Sequence, residues 1–147
     1  MKNRNMGSVS SATMRPEDLI PSFLSELKHQ KPCRRAHRTL VREIEARMDA
    51  DDYFESEDAD FDLEALFDAL NEYAPAYFYF GAHPGDGSDY GYWLSESFED
   101  DFDGLKVSDT SEIPTAYSGE VLHVNDHGNM TLYRCCRGRC REVWGLV

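Results

Sequence analysis

The stretch Tyr77-Phe78-Tyr79-Phe80-Gly81-Ala82-His83-Pro84-Gly85-Asp86-Gly87-Ser88-Asp89-Tyr90-Gly91-Tyr92-Trp93 decides how the chain is read, because the apolar period changes there. Before Pro75 the apolar residues recur at helical spacing. From Ala76 to Phe80 they form a continuous aromatic run of the buried-strand kind, and Asp89 to Leu94 reads as its antiparallel partner. Between the two runs lie glycines that permit a demanding loop, with His83, Asp86 and Asp89 as its polar groups. The chain is therefore expected to pass from helix to antiparallel sheet at this point.

Working upstream, three helices are expected. Arg15-Pro16-Glu17-Asp18 opens the first, with proline in the first turn and acids at the positive end of the dipole, and Ile20, Phe23, Leu24 and Leu27 follow at helical spacing. Pro21 is either tolerated or divides a first turn from the helix proper. Pro32 starts a second helix, whose Leu40, Val41, Ile44 and Met48 form one stripe while Arg34, Arg35, Arg38 and Arg42 read as a solvated face that pairs with the chain's own acidic segment, with a nucleic-acid patch as the weaker alternative. Asp49 to Asp62 reads as an acidic linker anchored by Tyr53, Phe54 and Phe61. Asp62 then caps a third helix carrying Leu63, Leu66, Phe67 and Leu70.

Downstream, Ser95 to Gly104 is a second acidic patch with a short helix, and Lys106 to Ser118 reads as loop. Val121-Leu122-His123-Val124 and Met130-Thr131-Leu132-Tyr133-Arg134 flank a turn at Asn125 to Asn129, and a second turn at Arg137-Gly138-Arg139 leads into the last strand, Arg141 to Val147. The expectation is an α+β protein, about three N-terminal helices followed by an antiparallel meander of about five strands. Residues 1–14 are expected to be a flexible tail and 15–147 a single domain, which suits a chain of 147 residues.

The net charge of -13 is unevenly spread. Residues 1–47 hold ten Lys/Arg against five Asp/Glu, residues 106–147 hold five against five, and between Arg47 and Lys106 there are eighteen carboxylates and no Lys or Arg. Such a middle segment disfavours direct contact with nucleic acid or anionic lipid and favours a positively charged partner. No apolar run is long enough to span a membrane, and Met1 to Met14 lack the apolar region of a secretory signal. A cytoplasmic location is expected, with Cys33, Cys135, Cys136 and Cys140 as reduced thiols.

Tyr79 to Trp93, together with Val121-Leu122-His123-Val124-Asn125-Asp126-His127-Gly128-Asn129-Met130-Thr131-Leu132-Tyr133, resembles strings in a group of small, largely uncharacterised proteins encoded by bacteriophages, prophages and plasmids. The resemblance covers residues 15–147. It implies a setting, a mobile element acting inside a bacterial cell, and supplies no catalytic residue.

Three constellations are candidates for function. The first is the acidic middle, with Asp51, Asp52, Glu55, Glu57, Asp58, Asp60 and Asp62 in one stretch and Glu96, Glu99, Asp100, Asp101 and Asp103 in another. Eighteen carboxylates match the charge on roughly 30 Å of duplex, against a radius of gyration near 15 Å for a domain of this length, so a face mimicking DNA fits on one side of it. The second is the loop, where His83 acting with Asp86 or Asp89 would serve acid–base chemistry or hold a divalent ion. Neither phosphate-loop spacing is present. The third is a tetrahedral zinc site from Cys33, His37, Cys136 and Cys140, set against thiols that act as small apolar residues.

An EF-hand at Asp58, Asp60 and Asp62 is excluded, because Leu63 stands where the turn glycine is required and Ala69 where the bidentate glutamate is. No cofactor and no metal are expected. The reading these residues favour is a non-enzymatic acidic protein of a phage or related element that binds a basic host protein and antagonises a nucleic-acid-binding or defence complex, in the manner of anti-CRISPR or anti-restriction proteins. The alternative is a small enzyme or ligand-binding domain centred on His83, Asp86 and Asp89.

Overall fold

The computed structural model describes residues 5–146; Lys2 and Arg4 of the expected tail and Val147 of the last strand lie outside them. The described chain is α+β, with four α-helices and two sheets of three and four strands. It divides into two compact units, Asn5–Ser95 and 96–146, where the sequence is read as one domain. The single five-strand meander is thereby corrected: the strands are shared between two sheets, and one of them precedes the helices.

In the first unit, α1 (Pro16–Lys28) runs unbroken through Pro21, and Ser22 Oγ donates to the Asp18 carbonyl in the turn around it. Its buried face is Leu19, Ile20, Phe23, Leu24 and Leu27. The second helix, α2 (Arg35–Arg47), buries His37, Val41 and Ile44. A 3-10 turn at Tyr53–Glu55 then leads into α3 (Glu57–Asn71). The start of α3 corrects the sequence reading: Ser56 is the N-cap, its hydroxyl accepting from Ala59 N, and Asp62 lies inside the helix. Glu57, Asp58 and Asp60 occupy the first turn, where the exposed N–H groups favour negative charge.

The sheet of this unit has the order β1 (Gly7–Ser10), β3 (Asp86–Leu94), β2 (Phe78–His83), all antiparallel. Residues 7–10, read from sequence as part of a loose tail, pair with Tyr92, Gly91 and Tyr90. The glycine explains why: a Cβ on Gly91 would stand 2.1 Å from the Gly7 carbonyl oxygen, so only a bare Cα admits β1. Phe23 sits at the centre of the core, edge-on to Phe67 and Phe80 with both ring centroids at 5.1 Å.

The second unit begins with the single turn α4 (Phe98–Asp101), followed by β4 (Leu105–Val107), β5 (Gly119–Val124), β6 (Met130–Cys136) and β7 (Arg139–Leu146), hydrogen-bonded in that order. β4 lies in the segment read as loop and runs parallel to β5; the other pairs are antiparallel. In the β5–β6 turn Asn125 Oδ1 accepts from His127 N and Asn129 N, and Gly128 takes the expected positive φ of 80°. Trp144 is fully buried, with Phe98 edge-on to it at 5.8 Å. Among the described residues no helix is long and apolar enough to cross a membrane.

Candidate functional site

The two acidic stretches fall in different units. In the first unit Asp51, Asp52, Glu55, Glu57, Asp58 and Asp60 are all exposed, and none of them forms an ion pair among the described residues. Asp62 differs and drops out of the candidate surface. It is 6% exposed, and its two oxygens accept from Arg47 Nη2 at 2.6 Å and Nε at 2.9 Å, with Tyr53 Oη donating at 2.7 Å. Arg47, which precedes the acidic stretch in sequence, is thus already engaged by the inward-facing Asp62.

With the start of α3 corrected, its outer face gains further residues. Glu57, Asp60, Phe61, Glu64 and Asp68 recur at three- and four-residue spacing and are exposed. Phe61, expected to anchor the linker, is instead 66% exposed in the middle of this stripe. The helix N-terminus favours Glu57 and Asp60 but not the later acids: Glu64 and Asp68 are a like-charged i,i+4 pair, and Asp68 approaches the negative end of the helix dipole. The sequence carried the spacing, but it was legible only from the true N-cap.

At the far end of α3 the carboxylate is neutralised. Glu72 Oε2 accepts from Nε2 of the buried His37 at 2.8 Å, while its other oxygen meets Arg34. Tyr73 Oη lies 2.7 Å from His37 Nδ1 and accepts from Arg34 N at 2.8 Å. An Nε2-protonated imidazole with the phenol donating to Nδ1 satisfies every atom, tying the start of α2 to the end of α3. Glu72→Ala would leave the imidazole N–H without its acceptor. Because the Glu72 side chain is 43% exposed, water compensates in part, and we expect a loss of about 1 kcal/mol in urea denaturation.

In the second unit Glu96, Glu99, Asp100, Asp101 and Asp103 are likewise exposed. Asp101 accepts from Ser97 Oγ at 2.7 Å, and none of the five forms an ion pair among the described residues.

The loop expected between the aromatic runs is a tight two-residue turn, Pro84-Gly85, with His83 and Asp86 as the last ladder pair. Its polar groups are occupied locally. His83 Nδ1 accepts from Gly85 N at 2.9 Å and its ring meets Trp93 edge-on at 4.6 Å. Asp86 Oδ1 accepts from Ser88 N and Oγ, and these two bonds hold its carboxyl below the ordinary value of 3.8. That contribution to turn order is present above the ordinary carboxylate range and is lost as pH falls through the depressed value. Asp89 Oδ1 accepts from Ser8 Oγ at 2.5 Å, across the β1–β3 pair. The three groups serve the hairpin and β1.

The expectation of four reduced thiols is corrected. Cys135 and Cys140, a cross-strand pair of β6 and β7, are joined in a disulfide, leaving Cys33 and Cys136 as free thiols. Cys140 is therefore not a thiolate ligand, and among the described residues no group of three or more His, Cys, Asp or Glu is arranged to hold a metal ion.

No protein-family model matches this chain, and no curated protein or solved structure is significantly similar to it.

Proposed function

We propose that the chain is an acidic binding protein that captures a basic, nucleic-acid-binding protein of a bacterial cell, with residues 51–60 and the outer face of α3 as the contact surface and Glu96 to Asp103 as a second patch. One observation carries this reading: among the described residues the six exposed carboxylates from Asp51 to Asp60 form no ion pair, while the neighbouring Arg47 is held by the buried Asp62. A concentration of like charge costs folding stability and is useful to a partner of opposite sign, which it steers from a distance. Phe61, exposed within the stripe, supplies short-range apolar contact of the kind that anchors interfaces. The phage-like strings at Tyr79 to Trp93 and Val121 to Tyr133 fit a mobile-element protein that blocks a host defence complex.

The test is retention from nuclease-treated bacterial lysate. The immobilised chain should hold nucleic-acid-binding proteins at low salt and release them at high salt. A variant with Asp51→Asn, Asp52→Asn, Glu55→Gln, Glu57→Gln, Asp58→Asn and Asp60→Asn should retain at least tenfold less. If no basic protein is retained at low salt, the proposal fails.

A further inference from the structure

The second unit carries an opposite charge feature. On the β6–β7 hairpin, Arg134 stands directly across from Arg141, and Arg139 across from Cys136. Cross-strand partners and residues two apart share a face, so Arg134, Arg139 and Arg141 project from one side of the ribbon, with Arg137 at its tip. Directly opposed like charges weaken a hairpin. In a chain of net charge -13, only Arg134 of these four forms an ion pair among the described residues, with Glu120 at 3.3 Å.

The tip is held in place. Arg137 and Gly138 have φ of 53° and 84°, the left-handed pair that a two-residue turn of this type needs. Arg137 N donates to Ser118 Oγ and Gly138 N to the Tyr117 carbonyl, both at 2.9 Å, and a Cβ on Gly138 would press on Ala116 N at 2.9 Å. The disulfide joins the two strands beside it. Between this tip and the segment before β5 lies a groove of about 530 Å³, lined by Arg137 and Arg139, the hydroxyl residues Thr110 and Thr115, and the apolar Ile113 and Pro114.

We propose that this groove binds a phosphate-bearing ligand, Arg137 and Arg139 engaging the phosphoryl oxygens and Thr110 and Thr115 completing their hydrogen bonds. Planar guanidinium forks match phosphate geometry, and a pre-ordered tip avoids the ordering cost of a mobile loop. The site is independent of the acidic surface, so either assignment stands if the other fails. The phosphate comes from a free nucleotide or from a nucleic-acid backbone, and the chemistry is shared.

The experiment is a titration of the isotope-labelled full chain with inorganic pyrophosphate, with ATP and with a twelve-nucleotide single strand, followed by amide shifts. Saturable shifts at Thr110, Thr115 and Gly138 with pyrophosphate are expected, and R137Q/R139Q should weaken binding at least tenfold while keeping the dispersed spectrum. Replacing both arginines by lysine should cost less, since charge remains and only the fork is lost. Tighter binding of ATP than of the oligonucleotide identifies a nucleotide site, and the reverse order a backbone site. The proposal is overturned if none of the three probes moves these amides at millimolar concentration. It is equally overturned if R137Q/R139Q binds pyrophosphate as the parent does, or if R35Q/R38Q on α2 removes the binding instead.

Discussion

Asp62→Ala should lower the stability of the first unit by about 2 kcal/mol, read as a shift in the urea midpoint. Breaking a buried ion pair by removing one partner costs about 3–5 kcal/mol. The figure is discounted here because the Arg47 side chain is 38% exposed and water can replace part of what it loses. What water cannot reach is the hydroxyl of Tyr53, which is 2% exposed and donates to Asp62 Oδ2 at 2.7 Å. Asp62→Asn keeps an acceptor for that hydroxyl, so it should cost less than the alanine. The same cluster sets an alkaline limit. Burial, then the bond to Asp62, raise the Tyr53 hydroxyl above its ordinary 10.0, and burial with the charge of Glu26 raises Tyr92 likewise. Groups whose folded-state values are raised lend stability that is complete below the unfolded value and lost above it. Stability should therefore fall as pH rises beyond 10, and less steeply in Tyr53→Phe.

Gly91→Val should detach β1 from the sheet. The new Cβ would lie 2.1 Å from Gly7 O and 2.8 Å from Ser8 Cα, both backbone atoms that cannot rotate away. Loss of β1 removes its ladder with β3 and the Ser8–Asp89 bond. Amides of residues 7–10 should then exchange with solvent at rates near those of unfolded chain, whereas the β2–β3 pair, held by its own register from Phe78 to His83, stays protected. Gly81→Ala is the control: its Cβ meets only the Tyr79 ring at 3.3 Å, and a side chain can move aside.

These two positions mark where the sequence could be read and where it could not. The helical stripes, the aromatic strands and the Asn125–Asn129 turn were legible because each rests on local spacing or turn chemistry. Strand β1 was not, since Gly7–Ser10 has no apolar alternation and is held by a long-range partner at Gly91. The start of α3 was hidden in carboxylates that looked like linker, although acids in a first turn are what a helix N-terminus favours. The acidic candidates were legible as a surface except for Asp62, whose inward direction depends on where the helix begins. At the hairpin His83, Asp86 and Asp89 have the composition of a site, yet their hydrogen bonds serve the turn and β1.

The function proposed above requires that the carboxylates from Asp51 to Asp60 occupy the groove in which a basic protein holds nucleic acid. It is tested most directly by adding the chain to a retained host protein bound to a fluorescent duplex and following the release of the duplex by anisotropy. The R137Q/R139Q background keeps the hairpin arginines from contributing. Release by the chain with its carboxylates intact, and at least tenfold weaker release by the six-residue neutral variant, is the predicted result. A duplex that stays bound, or equal release by both, would contradict that function.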